Sequence, residues 1–71
     1  MKPDPELVYA AERVIKASNA DLIHKCLVWY KQWCRVGNRR GVELSAYTLR
    51  LEIQKAHAEE RALQRAQRKA S

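Results

Sequence analysis

The sequence contains no phenylalanine and only two glycines and two prolines, and its apolar runs, such as residues 26–30, are short. A membrane-spanning helix needs about 20 predominantly apolar residues, and residues 1–7 lack the apolar centre of a secretory signal. We therefore expect a cytoplasmic protein that does not span a membrane. The two glycines, Gly37 and Gly41, are too few for a glycine-rich phosphate-binding loop.

Cysteine and histidine are also scarce, with two residues of each type. Cys26 and Cys34 would lie about 12 Å apart on one helix, whereas a disulfide requires Cα atoms within about 7 Å, so we expect two free thiols. His24 and His57 stand in no metal-ligand spacing with them, and Cys34 belongs to an apolar face that disfavours a reactive thiolate. The sequence thus predicts no metal, no cofactor, no catalytic residue and no small-molecule substrate, and a chain that is not an enzyme.

Acidic residues are outnumbered by basic ones. The 71 residues include 14 Lys and Arg against 8 Asp and Glu, which gives a formal net charge of +6. A chain of this length forms one domain with a small core. The excess positive charge points to an acidic partner, and its sign alone does not distinguish nucleic acid from an acidic protein surface.

The beginning of the chain has the pattern of a helix with its caps. Asp4 is suited to the N-cap and Pro5 to the first helical position, and apolar residues recur behind them at helical spacing. We predict a first helix over 5–17, after which Ser18 or Asn19 would cap the next helix.

Residues 22–35 show the clearest amphipathic pattern of the chain. At 100° per residue, the large apolar side chains fill one arc of a helix, and polar side chains fill the opposite side, with Val28 among them. We predict a second helix that is the core element, because it carries both tryptophans and both cysteines, and that ends at Gly37. The apolar arc contains Leu22, Ile23, Cys26, Leu27, Trp29, Tyr30, Trp33 and Cys34.

The rest of the sequence allows two interpretations. Residues 38–41 predict a tight basic turn, within a connection that runs over 36–44. Residues 47–53 alternate apolar and polar, as in a half-buried strand, yet the segment continues without a breaker into strong helix formers. We favour one long helix from about residue 45, with Ser45 as its N-cap. Its apolar face would comprise Leu44, Tyr47, Leu51, Ala58 and Ala62, with Leu49, Ile53 and Ala56 beside them.

These patterns predict an all-α fold, a small three-helix domain with a basic, partly disordered C-terminal helix or tail. We place the compact helical core at 1–54 and a charged tail, helical or disordered, at 55–71. Leu63 is the only large apolar side chain of this tail. The tail therefore has little to bury, and packing does not hold it.

Six residues are candidates for binding a partner. Val28 is an aliphatic residue on a polar face, which is the layout of a protein contact, although single exposed valines are common. Trp29 lies at the edge of the apolar arc, where it either completes the core or is available to a partner. The other four have guanidinium groups, which suit phosphates and carboxylates alike: Arg35, Arg39, Arg40 and Arg50.

Residues 24–40, with the sequence HKCLVWYKQWCRVGNRR, resemble the small regulators with which bacteriophages redirect the RNA polymerase of their host. The resemblance is one of size, charge and general character. It implies a non-enzymatic transcription regulator that binds a subunit of bacterial RNA polymerase at an acidic surface, inhibits initiation and acts in antitermination. Its location would be the cytoplasm of the bacterial host cell.

Direct binding to DNA or RNA is the alternative, with the second and third helices as a helix-turn-helix motif. The connection over 36–44 is longer than the usual turn of about three or four residues. Arg50 is the only residue near the start of the third helix that is well suited to base recognition. Backbone binding to nucleic acid through the basic turn and tail is a further option. The second helix would also suit a membrane surface, but the apolar face of the first helix favours a folded core.

Overall fold

The computed structural model consists of three α-helices in the order α1 (Pro5–Ser18), α2 (Asp21–Val36) and α3 (Arg39–Ala70). It describes the backbone of residues 1–70 and the side chains of residues 1–68, and it contains no strand within that part. The predicted all-α, three-helix domain is therefore confirmed.

The third segment of the chain is one long helix. Residues 47–53, whose alternation also allowed a strand, belong to α3, so the helical interpretation is confirmed. The helix continues over 55–70, and the part of the predicted tail at residue 71 lies outside the described residues. Ile53 is the last buried side chain among those described, and Ala56 packs against the core while partly exposed.

The first helix begins as its sequence predicts. Asp4 has an extended backbone, its Oδ1 accepts a hydrogen bond from Glu6 N at 3.1 Å, and Pro5 is the first helical residue. The N–H of Asp4 also donates to the Tyr30 hydroxyl at 2.8 Å. This second hydrogen bond ties the start of α1 to α2.

The cap predicted for α2 is wrong. Asn19 adopts a left-handed conformation, with φ 52°, and donates its N–H to the Ile15 carbonyl at 2.8 Å, so it closes α1 instead. Ser18 is the last residue of α1, and its hydroxyl donates to the Val14 carbonyl at 2.9 Å. Ala20 precedes α2 without a side-chain cap. Asparagine tolerates the left-handed region better than most residues, which suits it to the C-terminal end of a helix.

The connection between α2 and α3 consists of Gly37 and Asn38 alone. Gly37 adopts φ 81°, and its N–H donates to the Trp33 carbonyl at 2.9 Å, which ends α2 as predicted. The Oδ1 atom of Asn38 accepts a hydrogen bond from Gly41 N at 3.1 Å. Asn38 thus caps α3, and the helix begins at Arg39.

This early cap overturns three predictions: the basic turn at 38–41, the longer connection over 36–44 and the helix start at Ser45. Asn38 supplies the capping side chain seven residues before Ser45. Ser45 is instead fully buried, and its hydroxyl donates to the Gly41 carbonyl at 2.6 Å. A buried serine that bonds to its own helix needs no partner from another element.

The core is formed by one face of each helix. The second helix supplies more buried apolar side chains than either of the other helices, as expected of the core element, and both cysteines are among them. Leu22, which the pattern places in the buried arc, lies in the first turn of α2 and is exposed. The buried apolar residues are Leu7, Ala11, Val14, Ile23, Cys26, Leu27, Tyr30, Cys34, Val42, Ala46, Leu49 and Ile53.

The main row of the apolar face predicted for α3 is wrong, whereas Leu49 and Ile53, predicted beside it, are buried. Leu44, Tyr47 and Leu51 are exposed, and so are Ala58 and Ala62. Both faces of α3 follow helical spacing, so periodicity does not separate them. Small side chains on the inner side allow α3 to approach α2 closely, and this closeness selects the buried face. That face is formed by Val42, Ala46, Leu49 and Ile53.

The third helix packs tightly on α2 at Gly41. A Cβ atom at this position would overlap the Trp33 indole at its Cδ2, Cε3 and Cε2 atoms. Only glycine therefore leaves room for the ring. The indole Nε1 is buried and has no hydrogen-bond acceptor among the described residues, so Trp33 stabilises the fold through packing and not through its N–H group.

The molecule is elongated, and α3 sets its length. The Cα envelope measures 50 × 18 × 18 Å, and the 32 residues of α3 span about 48 Å. The first two helices are about 21 and 24 Å long, so they lie alongside only part of α3. Because α2 is longer than the envelope is wide, it runs along α3 and does not cross it at a right angle.

We expect Gly41→Ala to destabilise the fold. In a helix this substitution normally gains about 1 kcal/mol, but the overlap with Trp33 should turn the gain into a loss of about 1–3 kcal/mol. Urea denaturation followed by helical circular dichroism measures the difference. In a Trp33→Leu background the penalty should shrink or vanish. A gain in stability from Gly41→Ala alone would contradict the close packing of Trp33 on α3.

Candidate protein-binding surface

Three candidate arginines lie where α2 meets α3. Arg35 is in the last turn of α2, and Arg39 and Arg40 belong to the first turn of α3, not to a loop as predicted. The C-terminal dipole of α2 favours Arg35, whereas the N-terminal dipole of α3 disfavours a positive charge. The first turn of α3 contains no acidic residue. The helix dipole therefore accounts for a positive charge at Arg35. It disfavours the positive charges of Arg39 and Arg40.

Most of the positive charge at this end is not neutralised by ion pairs among the described residues. Arg39 Nε lies 3.7 Å from Glu43 Oε1, one turn further along α3, and both side chains are exposed. An exposed pair of this kind contributes about 0.3–0.5 kcal/mol. Within the described residues, Arg35, Arg40 and Arg50 make no ion pair.

Val28 is exposed and lines a shallow groove on the outer side of α2. The segment before α1 forms one wall of this groove through Met1 and Pro3, and α2 forms the other. Arg35 lines the same groove, so Val28 and Arg35 form one local surface. The remaining lining residues are Lys31, Gln32 and Cys34.

Trp29 is partly exposed, as its position at the edge of the arc predicts. It lies one turn before Trp33, whose ring meets Gly41 of α3, so it is on the side of α2 next to α3. Val28 and Trp29 are consecutive residues that point about 100° apart. They belong to different sides of α2, and the six candidates do not form one continuous surface.

Arg50 extends the basic surface along α3. It follows Arg39 by eleven residues, and Arg61 follows it by eleven more. Eleven residues are about three helical turns, so these three arginines lie on one line at intervals of about 16 Å. All three are exposed. Arg61 was not among the candidates, and the eleven-residue spacing is the signal that finds it.

A second groove, of about 500 Å³, lies between α1 and the C-terminal half of α3. The guanidinium of Arg13 lies over the Tyr9 ring, 5.8 Å from its centroid, at the edge of this groove. Glu60 lines it too, so its walls include charges of both signs. It does not share the positive character of the end where α2 meets α3.

The two cysteines are buried free thiols. Burial raises the pKa of the Cys26 thiol, and the Glu52 carboxylate raises it further because it repels the thiolate. A thiol held in its neutral form is a poor nucleophile and a poor metal ligand. Across the described residues, no three side chains of His, Cys, Asp or Glu come together as a metal site would require.

The chain matches no protein-family model, no curated protein and no solved structure. Over the part of the chain that the structure describes, none of the helices has the length and apolar character required to cross a membrane. A function for this chain therefore has to follow from its own surface chemistry.

Cys26 should make the stability of the fold depend on pH under alkaline conditions. Because folding raises the pKa of this thiol, the stabilisation is complete below the unfolded thiol pKa of about 8.5 and is lost as the pH rises through the folded value. We expect Cys26→Ala to remove this part of the decline in the free energy of unfolding, measured by urea denaturation over an alkaline pH series. Identical pH dependence in the two proteins would contradict the raised pKa.

Proposed function

We propose that this protein is a non-enzymatic binding protein that docks on an acidic surface of a larger protein. One observation carries the proposal: Arg35 lies in the last turn of α2 and Arg39 and Arg40 in the first turn of α3, and among the described residues only Glu43 forms an ion pair with any of them. Guanidinium groups bind carboxylates in bidentate geometry. A carboxylate from a partner would also offset the unfavourable dipole at the start of α3.

The partner that we propose is a subunit of bacterial RNA polymerase. The resemblance of residues 24–40 to bacteriophage regulators of that enzyme supports this choice. The proposed effect is inhibition of transcription initiation, with antitermination as a second effect, in the cytoplasm of the bacterial host cell. A small core and a basic surface suit a chain that acts by binding to a site on a larger protein complex.

Direct binding to DNA or RNA is the second candidate, and the line formed by Arg39, Arg50 and Arg61 favours it. The helices of a helix-turn-helix motif cross at about 90–120°, whereas α2 runs along α3 in a molecule 18 Å wide. The geometry therefore does not favour that motif. Nucleic acid would instead be held by contacts to its phosphate backbone, with a steep dependence of affinity on salt.

Charge reversal where α2 meets α3 tests the proposal. We expect Arg39→Glu with Arg40→Glu to weaken binding to purified bacterial RNA polymerase by about tenfold or more, because attraction is replaced by repulsion. Binding is measured by surface plasmon resonance with polymerase freed of nucleic acid. Abortive initiation at a promoter is the functional readout, and the wild-type chain should inhibit it more strongly than the variant.

The matched control is Lys16→Glu with Lys25→Glu, which changes the net charge by the same amount near the opposite end of α2. If both variants lose the same amount of binding affinity, the loss depends on net charge alone and the proposed site is wrong. A wild-type chain that does not bind polymerase overturns the proposal. Binding to nucleic acid alone, with a steep salt dependence, would favour the second candidate.

A further inference from the structure

The outward face of α3 is apolar, although none of the described residues outside α3 covers it. Leu44, Tyr47 and Leu51 are 57%, 62% and 38% exposed. Their spacing of three and four residues places them in one row, about 10 Å long, on the side opposite the core. Single exposed apolar residues are common, but a contiguous apolar row with a polar rim marks an interaction surface. We call these three residues the outer stripe.

Basic side chains flank the outer stripe at both ends. Arg40 lies one turn before Leu44, and Lys55 lies one turn after Leu51, on the same side of the helix. Arg50 flanks the stripe along its length. Arg40 and Arg50 form no ion pair with the described residues, whereas Lys55 Nζ lies 3.4 Å from Glu52 Oε1 in an exposed pair.

The acidic side chains beside the rim offset only part of this charge. Glu52 is paired with Lys55 at 3.4 Å. Glu43 lies beside the stripe, and its carboxylate is already 3.7 Å from Arg39. The rim as a whole is therefore positive around an apolar centre. A complementary surface would have an apolar centre and carboxylates at its two ends.

We propose that the outer stripe binds an amphipathic helix with an acidic rim that belongs to a partner protein. Such a helix would present apolar side chains at i, i+3 or i+4, and i+7, the spacing that matches the stripe. Its carboxylates would pair with Arg40 at one end and Lys55 at the other. The inference rests on the proposed function in one respect, because it takes the partner to be an acidic protein.

Charge argues against a second copy of this chain as the occupant. In an antiparallel pairing of two stripes, Arg40 of one copy would approach Lys55 of the other. In a parallel pairing, each basic residue would approach its own equivalent. Like charges opposed in this way destabilise an interface. A phosphate backbone would use the basic ends but would gain nothing from the apolar centre.

The test uses the full chain and two synthetic peptides. One peptide has leucine at every third or fourth position and glutamate between, and the other has lysine in place of every glutamate. We expect the acidic peptide to bind the wild-type chain about tenfold or more tightly than the basic peptide, as measured by isothermal titration calorimetry. Equal affinities would overturn the inference.

A matched pair of variants locates the binding surface. Leu44→Gln with Tyr47→Gln changes the stripe, and Tyr9→Gln with Leu63→Gln changes the same residue types, which are 62% and 64% exposed elsewhere. All four sites are solvent-exposed, so circular dichroism should show an unchanged fold. We expect the first variant to weaken binding of the acidic peptide by about fivefold or more and the second to leave it nearly unchanged. Equal effects would overturn the inference.

Parallel measurements with RNA polymerase separate this inference from the proposed function. Peptide binding through the stripe without polymerase binding would support the inference and overturn the proposed function. Polymerase binding that the stripe variant does not alter would overturn the inference and leave the proposed function standing. Self-association of the wild-type chain in sedimentation, lost in the stripe variant, would make a second copy the occupant and overturn the inference. The inference would also be overturned if the wild-type chain bound duplex DNA and if the stripe variant and Arg40→Glu weakened that binding equally.

Discussion

The contact between Gly41 and the Trp33 indole determines how α3 lies against α2. Because Gly41 has no side chain, the ring can lie directly against the backbone of α3. One turn later Ser45 is fully buried, and its hydroxyl is satisfied by the Gly41 carbonyl of its own helix. These two small residues make the inner side of α3 the close-packing side. The rotation of α3 about its axis follows from them, and the larger side chains at Leu44 and Tyr47 are left outside.

The short connection between α2 and α3 has a second consequence, which concerns charge. Gly37 ends α2 with a left-handed backbone, and Asn38 caps α3 with its side chain, so no further residue is needed between the helices. Arg35 and Arg39 are thereby brought to the same end of the bundle. A longer loop would have let their backbone positions separate. The tight turn instead keeps them on two helices that are joined by only two residues.

The first two helices could be predicted from the sequence because their signals are local. Asp4 and Pro5 mark the start of α1, and the apolar arc of α2 contains all of its buried side chains, although Leu22 in the same arc is exposed. The buried face of α3 could not be predicted, because Leu44 and Leu51 have the same periodicity as Val42 and Leu49. The choice between the faces depends on a contact with another helix, and a small residue such as Gly41 carries no hydrophobic signal.

The same reasoning applies to the candidate site and to the caps. The cluster of Arg35, Arg39 and Arg40 was predictable because the residues are close in the chain. The outer stripe was not, since its residues had been assigned to the core. The start of α3 was misplaced because Asn38 and Ser45 are both good N-caps, and only the hydrogen bond from Gly41 N decides between them. Finally, α3 is held by packing only as far as Ala56, yet its strong helix formers continue it for about four turns beyond that residue. Arg39 and Arg61 are thus kept about 33 Å apart by a continuous helix, so the number of residues in α3 fixes the distance between whatever each of them touches.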